Sequence, residues 1–180
     1  MSEQALTGVR ILDFSQVLAG PFATQLMAQL GAQVIKIEQP VGGDMTRGLM
    51  SASSDGMAPS FLAANLGKRS LTLDLKNPKA KEIVHKLVAK ADVIVETFNP
   101  GTIARLGFGY EATKAIKPDL VYASISGFGQ PGPRANLPAF DGAIQAYSGM
   151  MSISGHAETG PVRSGYFSVD MSTALNAAFA

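Results

Sequence analysis

Residues 9–38 read VRILDFSQVLAGPFATQLMAQLGAQVIKIE, and the fold class follows from this stretch. Val9, Ile11, Leu12 and Phe14 make an apolar run of strand length. The chain turns through Ser15–Gly20, begins a helix at Pro21, stops at Gly31 and returns through Val34, Ile35 and Ile37. Strand, loop, helix, strand is the unit from which parallel sheets are built. Such units take ligands beyond the carboxyl end of the first strand, against the helix N-terminus. Here that place holds Ser15–Gln16–Val17–Leu18–Ala19–Gly20, which is not the glycine-rich turn of a dinucleotide or nucleoside triphosphate site.

Strands and helices go on alternating on the C-terminal side, without an internal repeat. Residues 39–58 form a polar, glycine- and methionine-containing loop that includes GGDMTRG at Gly42–Gly48, too long for a plain connection. A short helix over Pro59–Asn65 and a half-exposed strand over Ser70–Leu75, with Leu71, Leu73 and Leu75 alternating, come next. Asn77–Pro78 supplies an N-cap and a first-turn proline, and Ala80, Ile83, Val84, Leu87 and Val88 give the following helix one apolar face. Val93–Glu96 is a buried strand ended by Phe98–Gly101, a short helix carries Arg105, Glu111–Lys117 forms another, and Leu120–Ile125 is a further strand. Past the Gly/Pro loop Ser126–Pro138, Asp141 opens a helix that Gly149 ends, and a last helix starts near Asp170. Alternating strands and helices define an α/β protein with a mostly parallel sheet.

Composition narrows the function. The 180 residues fit one domain, with 46% hydrophobic and only 16% charged residues against a usual value of about 25%. So little charge favours an assembly or an obligate interface. The net charge of +1 gives no electrostatic footprint for nucleic acid or a membrane surface. Without cysteine there is no disulfide, thiolate metal site or cysteine nucleophile. No secretory leader or run of membrane-spanning length is evident, so the expected location is the cytoplasm. Ser172–Ala180 is helix-favouring and lacks a closing turn, which gives the expectation that this is the N-terminal piece of a longer protein.

Several motifs lose their obvious meaning in context. Gly127–Phe128–Gly129–Gln130–Pro131–Gly132 spells G-x-G-x-x-G, but Pro131 and Pro133 obstruct a helix there and the acidic partner ~20 residues on is missing. It reads better as a Gly/Pro loop beside an active site. Gly67–Lys68–Arg69–Ser70 resembles the end of a phosphate loop whose first glycine is replaced by Leu62. No serine sits in a nucleophile elbow, and His85 and His156 lack metal-ligand spacing, so no metal site is expected. Asp170 remains, at the start of the last helix. It reads as an N-cap, and a helix N-terminus stabilises its charge so that it stays ionised and available as a nucleophile.

SQVLAGPFATQLMAQLGAQVIKIEQP, GGDMTRG, NLGKRSLTLDLKNPKAKEIVHKLVAKADVIVETFNPG, RLGFGY, and SGFGQPGP followed by FDGAIQAYSG resemble the class III (family III) coenzyme A transferases. That family includes formyl-CoA and carnitine-linked CoA transferases and α-methylacyl-CoA racemases. The resemblance runs along nearly the whole chain. It implies a Rossmann-like large domain, of which residues 1–180 are the N-terminal CoA-binding part, with a second, small domain outside this chain. It also implies an interlocked homodimer. Carried over by position, the nucleophilic aspartate falls on Asp170, and contacts to coenzyme A fall on Val17, Leu18, Ala19, Leu73, Lys76, Thr97, Phe98 and Arg105. Lys76 and Arg105 have the chemistry to neutralise phosphates, and Phe98 offers an apolar face.

The implied reaction moves coenzyme A from an acyl-CoA donor to a carboxylic acid through an aspartyl–CoA thioester. The alternatives are a CoA-thioester racemase or epimerase using Asp170 as acid and base, and a non-catalytic CoA-binding fragment. Departures from the family pattern bear on these. Gln39 stands where a basic residue is common and Thr97 where asparagine is usual. Phe140 replaces the proton-transferring histidine of the racemase branch, which makes racemisation the weaker option.

Overall fold

A computed structural model describes residues 3–49 and 57–180. The opening unit forms as its periodicity dictates: β1 (Arg10–Asp13), α1 (Ala19–Gln29) and β2 (Gln33–Glu38). The helix begins two residues ahead of Pro21, and Gly31, at φ 105°, makes the left-handed turn that lets the chain double back. A single-turn 3₁₀ helix, Met45–Gly48, lies within the long polar loop, and residues 50–56 of that loop lie outside the described part. Then come α2 (Pro59–Asn65), β3 (Arg69–Thr72), α3 (Pro78–Val88), β4 (Val93–Glu96), α4 (Thr102–Arg105), α5 (Tyr110–Lys114), β5 (Val121–Ser124), α6 (Asp141–Tyr147) and α7 (Ser168–Phe179).

The strands make one five-stranded sheet in the order β3-β2-β1-β4-β5, with each neighbouring pair parallel. Strand alternation divides the core into two layers. Leu12, Phe14, Ile37 and Ile94 face Val84 and Val88 of α3, together with Ile103 and Phe108. Ile11, Val34 and Val95 face Met27 of α1, with Ala178 of α7 packed against them. Of the predicted apolar face of α3, Ala80, Val84 and Val88 are buried, whereas Ile83 is exposed. Asn77 caps that helix as expected, accepting from the Lys79 amide at 3.0 Å. His85 packs edge-on against Phe108, with ring centroids 5.9 Å apart.

All five carboxyl ends point the same way, and the order reverses between β1 and β4. Sheets of this type leave a crevice at that point. α7 lies along α1, and α6 packs on α7, so the last helices close one side of it.

Candidate active site

A cavity of about 410 Å³ opens beyond the ends of β1 and β4. Its floor is Phe14 and the Gln16–Ala19 loop, and Thr97 to Pro100 line one side. Ile125, Gly127, Leu137, Ala139 and Phe140 form a largely apolar wall that also holds Ser126, with Asp141, Asp170 and Thr173 on the helical side. Val17, Leu18, Ala19, Thr97, Phe98 and Asp170, far apart in sequence, thus share one chamber. Leu73, Lys76 and Arg105 do not line it. Leu73 follows β3 and packs against the core, Lys76 is exposed, and exposed Arg105 donates to Thr102 Oγ1 at 2.9 Å. They still stand after the carboxyl ends of β3 and β4, on the same edge of the sheet as the cavity.

The loop that forms the floor is held in a strained shape. Val17 has φ 71°, the only positive φ outside glycine among the described residues, and a β-branched residue tolerates this poorly. The conformation persists because the loop's amides are each tied to a different element. Asp13 accepts from the Ser15 amide at 2.9 Å, Thr97 Oγ1 from the Gln16 amide at 2.9 Å and Asp44 Oδ1 from the Val17 amide at 3.4 Å. Thr97 therefore holds the loop with its side chain. Close packing enforces the glycine at the next turn. A Cβ on Gly20 would lie 2.3 Å from Ser15 Cβ and 2.7 Å from Thr97 Cγ2.

Beneath the loop runs a buried ionic network that the sequence did not disclose. Lys68 Nζ lies 2.9 Å from Asp13 Oδ2 and also donates to Pro21 O and Asn65 Oδ1, so the residue that mimics a phosphate-loop lysine is engaged in the core. Burial pulls the Lys68 amine down to about 8. Asp13 is wholly buried, which alone would raise its carboxyl. The charges of Lys68 and Lys36 and the hydroxyls of Ser15 and Thr24 outweigh that and hold it at about 2. Lys36, 2.9 Å from Asp44 Oδ2, donates to Ser15 O at 2.8 Å. Arg47 grips Glu38 with two 2.7 Å bonds, and Gln39, in the place of a basic residue, donates to Gly43 O at 3.2 Å. The signal that could have exposed this network is the presence of Asp13, Lys36 and Glu38 among the apolar residues of β1 and β2.

Asp170 differs from its expected role. It is the third residue of α7 and does not cap it; the N-cap is Phe167. Asp141 serves as the cap, accepting from the Val169 amide at 2.8 Å and the Asp170 amide at 3.3 Å while Gln145 Nε2 donates to its other oxygen at 2.5 Å. Asp141 opens α6 as its first residue, as the sequence suggests, and its side chain caps the neighbouring helix. The helix terminus is therefore already satisfied by a carboxylate. Burial and then the charge of Asp141 push the Asp170 carboxyl up to about 6, opposite to the expected stabilisation of its charge. Among the described residues nothing donates a hydrogen bond to its oxygens. The group is a half-buried carboxylate, ionised at neutral pH, poorly solvated and facing the chamber. Of the Gly127–Gly132 loop only Gly127 reaches the chamber, where a Cβ would come within 2.0 Å of Ala139 Cβ.

A basic carboxylate, without a donor among the described residues, in a chamber of mixed polar and apolar lining at a parallel-sheet crevice suits acyl chemistry. Residues 6–180 match the sequence model described as CoA-transferase family III. The chain belongs to CoA-transferase family III. It is 40% identical over 176 residues to the succinate–glutarate CoA-transferase of Agrobacterium fabrum, with 94% of this chain and 44% of that protein covered. The formyl-CoA:oxalate CoA-transferase of Bradyrhizobium diazoefficiens is 44% identical over 175 residues, covering 97% of this family III chain and 41% of the relative. The crystal structure of a CAIB/BAIF family protein from Brucella suis superposes with a TM-score of 0.93 at 37% identity, over 99% of this chain and 48% of that one. The family III chain therefore spans less than half the length of these relatives. Among its described residues no helix is long and apolar enough to cross a membrane.

Proposed function

We propose that this chain is the N-terminal part of the large, CoA-binding domain of a cytoplasmic acyl-CoA:carboxylate CoA-transferase, with its small domain outside this chain and the whole acting as a homodimer. The observation that carries this reading is Asp170, an ionisable carboxylate to whose oxygens nothing donates among the described residues, in the same chamber as the strained Val17 loop. Asp170 attacks the donor thioester carbonyl; its C–S bond breaks and CoA thiolate departs with the electron pair, leaving a mixed anhydride. The thiolate then attacks the aspartyl carbonyl carbon, breaking the anhydride C–O bond and releasing the donor acid as its carboxylate. The resulting aspartyl–CoA thioester reacts with an acceptor carboxylate by the same two steps in reverse. No proton is consumed, and the energy of the thioester is kept in acyl intermediates.

A cavity of about 410 Å³ takes a drug-sized group, so the reacting thioester end of the coenzyme fits it. Val17, Leu18, Ala19, Thr97 and Phe98 contact this end. Leu73 supports the strand edge, and Lys76 and Arg105, both exposed, meet the phosphates of the nucleotide end beyond the chamber. Phe140 lines the chamber and has no exchangeable proton, which favours transfer over racemisation. The test is to incubate the protein with an acyl-CoA, add hydroxylamine and map the product by mass spectrometry. A hydroxamate on Asp170 is expected; transfer persisting in Asp170→Ala overturns the reading.

A further inference from the structure

Buried ion pairs are poor investments in stability, because desolvating both charges offsets most of their attraction. The Lys36–Asp44 pair is such a case, with side chains 2% and 0% exposed. A second purpose is visible in what each partner touches. Lys36 Nζ donates to Ser15 O at 2.8 Å, and Asp44 Oδ1 accepts from the Val17 amide at 3.4 Å. The pair thus holds the floor loop on both sides of Gln16, and Val17 between α1 and that grip is the residue forced to φ 71°.

Asp44 is itself immobilised. Its Oδ1 accepts from Thr46 N at 2.9 Å and Thr46 Oγ1 at 2.8 Å, and its own amide donates to Glu38 Oε2 at 2.9 Å. Glu38 is fixed by Arg47 and by Ser70 Oγ at 2.6 Å. Through Glu38 on β2 and Ser70 on β3 this chain reaches the sheet, whose rigidity is thereby passed to a loop outside it. Met45, the neighbour of Asp44, lines the chamber, so the same anchor sets a second part of the wall.

We infer that Lys36 and Asp44 are positioning residues for the coenzyme. Their ion pair clamps the Ser15–Val17 backbone in its strained, binding-ready form before the thioester arrives. This rests on the functional reading above, since the loop is the surface there assigned to coenzyme A. A loop that must be ordered at each binding event weakens apparent affinity by the fraction of time it is competent. Without the clamp, Val17 relaxes to an ordinary β or helical conformation and the floor is rebuilt each time.

The test uses the double variant Lys36→Met/Asp44→Leu, which removes both charges together and leaves neither unpaired. The expected result is a Kd for coenzyme A raised about tenfold or more. The steady-state loss should fall chiefly on KM for the acyl-CoA, not on kcat. A folded double variant with wild-type affinity overturns the proposal. Should the variant fail to fold, amide hydrogen exchange on the wild-type protein decides. The Gln16 and Val17 amides are expected to be protected without coenzyme A. Free exchange there, with protection gained only on adding coenzyme A, overturns the clamp. A wild-type protein that binds no coenzyme A refutes the functional reading instead, and the exchange experiment still tests the clamp.

Discussion

Replacing Asp170 by asparagine removes the proposed nucleophile, and it is also expected to make the protein more stable at neutral pH. Burial and Asp141 lift this carboxyl from 3.8 to about 6. The folded state therefore holds its proton more tightly than the unfolded chain does. Stability falls as pH rises between those two values, and above about 6 the whole penalty is present. For a fully buried group the difference would amount to ~3 kcal/mol. Asp170 is only half buried, and solvent screening brings the figure to ~1 kcal/mol. For a protein of this size that is a rise in Tm of roughly 2–4 °C for Asp170→Asn. The assay is thermal unfolding of both proteins by circular dichroism at about pH 7.5 and about pH 4. The gain should appear at the higher pH and shrink at the lower. A variant less stable than wild type at neutral pH, or equally stabilised at both, refutes the account of Asp170 as a charge held against its surroundings.

Three other outcomes follow from the same geometry. kcat/KM for transfer should have an acid limb near pH 6, falling about tenfold per pH unit below it as Asp170 is protonated; Asp141→Asn should move that limb downward without returning it to 3.8, because burial is the larger cause. Gly20→Ala places a methyl group 2.3 Å from Ser15 Cβ, and urea unfolding should register a loss of ~1–3 kcal/mol, accompanied by a raised KM for acyl-CoA. Lys68→Met leaves Asp13 buried and without its main cation, costing ~3–5 kcal/mol in urea unfolding; adding Asp13→Asn should recover part of that loss, and no recovery would count against the pair.

The sheet was legible because local pattern and final environment agree. Val93–Glu96 and Pro59–Asn65 match the observed β4 and α2, since apolar runs bounded by loops or proline leave few choices. The place of the first unit's loop at the mouth of the crevice was legible for the same reason, because a parallel unit leaves its loop at the carboxyl end whatever the loop contains. The capping of α7 was not legible. Asp141 lies 28 residues before Val169, and a bond across that distance depends on how α6 packs on α7, which no local pattern encodes. Nor was the direction of the Asp170 shift. A helix start predicts a stabilised charge, but Asp141 already occupies those amides and adds its own negative charge.

The sharing of Asp141 between two helices has a mechanical consequence. One side chain ties the first turn of α6 to the first turn of α7, and Gln145 extends the tie by accepting from the Ser164 amide at 2.9 Å. A displacement of α6 is therefore passed through these bonds to the backbone of Asp170, the proposed nucleophile. Residues of the 126–140 segment that never touch a substrate can retune reactivity through this lever, and redesign of that segment should be judged first by where it leaves α6.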